Sequence, residues 1–108
     1  MMNILAMDTS NKALSLAILE NEELLGQVTL NIKKNHSITL MPAIDFLMNS
    51  LDMKTTDLDR IAVAQGPGSY TGLRIAVATA KTLAHTLKIE LVGVSSLLDL
   101  VPEQVEGL

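Results

Sequence analysis

Residues 61–74 read Ile61-Ala62-Val63-Ala64-Gln65-Gly66-Pro67-Gly68-Ser69-Tyr70-Thr71-Gly72-Leu73-Arg74. The first four are apolar on both faces and bounded by turn residues, the pattern of a short buried parallel strand. Gly66, Pro67 and Gly68 then break the chain, because glycine admits backbone conformations that other residues avoid and proline stiffens the bend. From about Thr71 to Leu87 apolar residues return at helical spacing. Ser69 or Thr71 is the candidate N-cap, and Lys88 lies at the carboxyl end, where the helix dipole favours a cation. Buried strand, glycine-rich turn and helix in that order make one βα unit of an α/β sheet.

The flanking segments extend this unit. Leu91–Val94 is a further buried strand, after which Ser95 or Ser96 caps a last short helix that Pro102 ends or bends. Upstream, apolar runs at Asn3–Met7, Ala13–Leu19 and Leu24–Ile32 predict three strands, separated by turns at Asp8-Thr9-Ser10-Asn11 and Glu20–Glu23. A helix is expected from the segment His36-Ser37-Ile38-Thr39 to about Leu51. Ser37 or Thr39 is its candidate cap, and Pro42 is tolerated only near its start, where an absent N–H costs nothing. The predicted order is βββαβαβα: an α/β fold with a five-stranded mixed sheet, an antiparallel meander followed by crossovers.

Composition narrows the function classes. The 108 residues contain no cysteine, 8 Lys+Arg against 12 Asp+Glu for a formal net charge of -4, and two aromatics, Phe46 and Tyr70. The length suits one domain with a core of its own. Absent thiols exclude disulfides, thiolate zinc sites and cysteine chemistry, and a cytoplasmic location is expected. An acidic chain with two aromatics lacks the basic patch and stacking platforms of nucleic-acid binders, so RNA contact is expected only through another protein. No membrane association is expected: the best apolar window, Ile61–Ala80, is interrupted by Gly66, Pro67, Gly68 and Arg74, and the amino terminus has no basic n-region.

Three places can carry function. Asp8 and Ser10 offer oxygens that suit a Mg²⁺ water or a phosphate, but the same residues also make an ordinary turn through local backbone bonds. The turn at Gly66 and Gly68 opens a helix whose amides can cradle an anion, but its spacing matches neither the Walker A loop nor the dinucleotide fingerprint, and a mechanical role, close packing and positive φ, is the favoured reading of the glycines. The third place is the pair of helices. Leu40, Ile44, Leu47 and Leu51 form one stripe on the first, with Ile38, Met41 and Met48 on an adjoining face. On the second, Gly72, Ala76, Ala80 and Ala84 recur every four residues beside Leu73, Val77, Leu83 and Leu87. Small residues at that spacing let another helix approach closely, so a partly exposed patch awaiting a partner is expected, the alternative being that all of it is core within the domain. His36 and His85 form no metal pair, and Ser69 and Ser95 have no spaced base, so neither a metallopeptidase nor a nucleophilic triad is expected.

Read together, Asp8-Thr9-Ser10, the segment from His36-Ser37 to Ile44, the run from Gln65 to Ile75 continuing to Ala84, and Gly93-Val94-Ser95-Ser96-Leu97 resemble the amino-terminal half of the TsaB (YeaZ) family. The resemblance covers nearly the whole chain. It implies the ribonuclease-H-like, actin-like ATPase fold, with residues 1–108 forming the amino-terminal lobe and a second lobe lying outside this chain. It further implies a non-catalytic partner in tRNA threonylcarbamoyladenosine biosynthesis that binds the paralogue TsaD, with TsaE and the pathway enzyme TsaC, and that self-associates as a possible homodimer. On this reading Ile38, Met41, Met48, Gly72, Leu73, Ala76 and Ala80 form the partner interface. Asp8, Ser10, Gly66 and Gly68 are then a vestigial phosphate site with at most weak Mg-ATP binding, since no glycine follows Asp8 as the ATPase pattern requires. The alternative is a degenerate nucleotide-binding or ATPase module.

Overall fold

The computed structural model describes residues 2–9, 13–31, 36–64 and 70–94. Strands β1 (Asn3–Thr9), β2 (Ala13–Glu20) and β3 (Glu23–Asn31) precede helix α1 (His36–Ser50), followed by β4 (Arg60–Ala64), α2 (Tyr70–Leu87) and β5 (Glu90–Val94). The sheet order is β3-β2-β1-β4-β5. β1 pairs antiparallel with β2, as β2 does with β3, while β1–β4 and β4–β5 are parallel. The predicted mixed five-stranded sheet is therefore present; the expected helix after Val94 lies outside the described residues.

Both helices pack on one face of this sheet. Alternation along the strands sends Leu5, Met7, Leu14, Leu16, Ile18, Ile61 and Val63 into a core shared with the inner faces of α1 and α2. The opposite face is also apolar, with Ile4, Ala6, Ala17, Leu19 and Ala62 buried in a second cluster. That double-sided burial is what the unbroken apolar run at 61–64 predicted.

Several boundaries differ from expectation, each for a visible reason. β1 continues through Asp8 and Thr9 because both find register partners, Ser15 and Leu14, on β2. Ser37, Thr39 and Thr71 lie inside their helices rather than at the caps. Pro42 sits at the seventh residue of α1, deeper than expected; it is exposed, so its ring meets solvent and only the bond to the Ile38 carbonyl is forfeited. The hairpin turn at Asn21 and Glu22 has φ of 51° and 73°, the left-handed pair that matches strand twist.

Both helices stop by the same device. At the end of α1, Asp52 N–H donates to the Asn49 carbonyl at 3.1 Å and Met53 N–H to the Met48 carbonyl at 2.8 Å, with Asp52 at φ 57°. After α2, Lys88 N–H reaches His85 at 3.3 Å and Ile89 N–H reaches Ala84 at 3.0 Å, with Lys88 at φ 57°. These are Schellman caps without glycine, and each returns an apolar residue, Met53 or Ile89, to the core.

Polar contacts tie the start of β1 to the segment before β4. Asn3 N–H donates to Asp59 Oδ2 at 2.8 Å, Asn3 Nδ2 to the Asp57 carbonyl at 3.0 Å, and Asp59 N–H to the Asn3 carbonyl at 2.8 Å. Lys54 N–H is held by Asp57 Oδ2 at 2.8 Å, which closes the 3-10 turn Thr55–Asp57. Arg60 Nε and Glu90 Oε1 form an ion pair at 2.7 Å across the parallel β4–β5 ladder.

Candidate functional site

Two places collect the residues of interest. The first is the sheet edge where β1 and β4 end. Because these strands are parallel, Thr9 and Ala64 lie at the same edge, the position where open α/β sheets bind ligands. Asp8 is half-buried there, on the same strand face as Ile4 and Ala6, opposite Ser15 in register. Ser15 in turn meets Thr29 through their hydroxyls at 3.2 Å. A row of oxygens, Asp8–Ser15–Thr29, thus borders the apolar cluster Ile4, Ala6, Ala17, Leu19 and Ala62 on this sheet face. Ser10, Gly66 and Gly68, the other residues expected to hold a phosphate, lie outside the described residues. Among the described residues no group of three His, Cys, Asp or Glu is placed to hold a metal ion.

The second place is the groove between the outer edges of α1 and α2, about 460 Å³ in volume. Met41 of α1 lines one side, and Ala78, Thr79, Thr82, Leu83 and Thr86 of α2 line the other. Among the described residues no charged side chain contributes. Thr79, Thr82 and Thr86 recur three and four residues apart and so share a helix face. Thr82 Oγ1 donates to the Ala78 carbonyl at 3.0 Å, which satisfies the hydroxyl within the helix and leaves its methyl outward. Met41 remains 41% exposed. An uncharged, concave, partly apolar strip of this kind suits burial against another protein.

The structure sorts the residues expected at the partner surface. Met41 is exposed and lines the groove, whereas Met48, Ala76 and Ala80 are 2%, 0% and 0% exposed and belong to the core under the helices. The reason is geometric. Met48 is one turn beyond Ile44 and widens the inner stripe of α1, while the alanines of α2 let that helix settle closely on β1 and β4 of its own sheet. Ile38, Gly72 and Leu73 fall on α1 and α2, but their side chains lie outside the described set. The threonines and Ala78 were missed because helical threonine reads as ordinary polar surface; the usable signal was their shared spacing without an intervening charge on that face. Phe46, 64% exposed on α1, carried no signal at all.

Comparison with known proteins agrees with this architecture. A family model described as "TsaD: tRNA N6-adenosine threonylcarbamoyltransferase" matches residues 23–105. The tRNA threonylcarbamoyladenosine biosynthesis protein TsaB of Bacillus subtilis is 51% identical over 96 residues, covering 89% of this chain and 42% of that protein. The structure of YeaZ from Pseudomonas aeruginosa superposes with a TM-score of 0.78 at 34% identity, covering 90% of this chain and 45% of the other. The chain thus spans less than half the length of these relatives. RuvC of Thermus thermophilus, with a TM-score of 0.57 at 11% identity over 86% of this chain and 64% of its own, shares the fold alone.

Proposed function

Since the chain belongs to the family of the tRNA N6-adenosine threonylcarbamoyltransferase TsaD, and within it to the TsaB (YeaZ) branch, we propose that it serves tRNA threonylcarbamoyladenosine biosynthesis as a non-catalytic docking lobe for a TsaD-type paralogue. TsaE and the TsaC enzyme act in the same pathway, tRNA is reached only through the partner, and the setting is the cytoplasm. The observation that carries this reading is the uncharged α1–α2 groove with Met41 at its rim. Covering it and the flanking helix surface in an interface on the order of 1,600 Å² removes apolar area from water. The same surface admits a second copy of the chain when the paralogue is absent.

The test uses exposed groove residues. Ala78→Arg and Thr82→Arg place a charge in the strip without entering the core. Each is expected to weaken co-elution with the TsaD protein of the same genome at least about tenfold while leaving the thermal melt of the chain unchanged, since an unpaired charge is costly to bury. Full binding by both folded variants would remove the groove from the interface.

A second reading rests on Asp8 at the shared end of β1 and β4. If a Mg-ATP site lies there, calorimetry should show nucleotide binding that is lost in Asp8→Asn. Heat of binding that survives the substitution would count against this site.

A further inference from the structure

The docking groove contains an atom that ordinary metabolism can oxidise. Of the chain's six methionines, Met7 and Met48 are buried in the core and Met53 is half-buried. Met2 is exposed, but it does not line the groove. Among the described methionines Met41 alone combines solvent exposure with a place in the groove, where its neighbours are alanine, threonine and leucine. The chain has no cysteine, so its sulfur redox chemistry resides in thioethers.

We propose that Met41 is a redox switch on the docking surface: oxidation of its thioether by a hydroperoxide weakens partner binding, and reduction restores it. The inference rests on the docking reading above. In the forward step the sulfur lone pair attacks the peroxide, the O–O bond breaks, an S–O bond forms, and water or an alcohol leaves. The thioether is oxidised by two electrons and the peroxide is reduced by two. The product changes the groove in two ways. An apolar, pliable side chain becomes polar, and its oxygen is a strong acceptor that needs a donor once buried. The nearby Thr82 hydroxyl has already committed its hydrogen to the Ala78 carbonyl.

The experiment treats the purified chain with hydrogen peroxide, removes the oxidant, maps added oxygen by peptide mass spectrometry, and titrates the product with the untreated TsaD protein of the same genome. Absence of binding before any treatment would refute the docking reading itself, and this inference with it. Given binding, treated chain oxidised at Met41 is expected to bind about tenfold or more weakly, and methionine sulfoxide reductases A and B should together restore it with a dithiol as two-electron donor, which becomes a disulfide as the sulfoxide oxygen leaves as water. Met41→Leu, compared with its own untreated state, should show no loss on treatment, whereas Met2→Leu should lose as much as the parent. An equal loss in treated Met41→Leu, no recovery on reduction, or no oxidation of Met41 under conditions that oxidise Met2 would each overturn the proposal.

Discussion

Gly26 of β3 lies directly beneath Leu51 at the end of α1. A Cβ built at Gly26 would stand 3.1 Å from Leu51 Cδ1 and 3.3 Å from Leu47 Cδ1. The missing side chain is therefore what lets α1 close onto the outer strand, next to the irregularity between Ile18 and Leu19 that leaves Leu25 outside the β2–β3 register. Leu51 is half-buried and can yield by a few tenths of an ångström, whereas Leu47 is buried. Gly26→Ala should accordingly change stability by less than about 1 kcal/mol, the steric cost being offset by the lower chain entropy of alanine. Gly26→Val, which must also find room for two methyls, should lose about 1–3 kcal/mol. Urea unfolding midpoints decide it, and a Gly26→Val protein as stable as the parent would contradict the close approach.

The two helix ends respond oppositely to glycine. Asp52 and Lys88 both hold the left-handed conformation that costs a non-glycine residue roughly 1–2 kcal/mol. Asp52 also sets a negative charge at the negative end of the α1 dipole, while Lys88 sets a positive one at that of α2. Asp52→Gly should therefore stabilise the fold by about 1 kcal/mol, and Lys88→Gly should be close to neutral, because the conformational gain is offset by the lost cation, worth about 0.3–1 kcal/mol. Thermal melts at low salt test the contrast; equal gains from both would show that the charges have no part in it.

Ala76 and Ala78 sit two residues apart on α2 and face opposite surroundings. Ala76 is fully buried against the sheet and Ala78 is exposed on the groove. Arginine at position 76 should cost more than about 3 kcal/mol of stability, from overpacking and an unpaired charge. Arginine at 78 should cost less than about 0.5 kcal/mol. Circular dichroism of the two variants separates the core face of α2 from its groove face, and a well-folded Ala76→Arg would refute the placement of that helix face.

Much of this architecture is readable from residue pattern because its elements are strongly periodic. The apolar runs of β1, β2 and β4, the stripe Leu40–Ile44–Leu47–Leu51 and the glycine-rich entry to α2 each announce an element and its buried side. What pattern does not disclose is which neighbour a small-residue stripe serves. Ala76, Ala80 and Ala84 pack as readily on the chain's own strands as on a foreign helix, and only three-dimensional placement shows that the sheet takes them. The carboxyl ends of the helices were legible to within a residue, but the form of their caps was not, since Asp52 and Lys88 occupy positions where glycine is the expected marker. Asp8 looked like a turn residue because its partner Ser15 becomes visible only once the hairpin register is fixed.

The strand order also sets a timetable for folding. β1, β2 and β3 are joined by short connections and can zip as successive hairpins within microseconds. The other flank of β1 must wait for β4: the Asn3–Asp59 contact at its start joins residues 56 apart. Closing so long a loop is entropically slow, so the meander should form the folding nucleus, with β4 and β5 docking late. Truncating Leu16 should then slow refolding, while weakening Ala62 by glycine should mainly speed unfolding. Equal slowing of refolding by both changes would put the parallel pairing in the transition state. If the order holds, a chain emerging from the ribosome carries a half-built sheet whose central strand keeps one side open until the seventh ten of its residues is arriving.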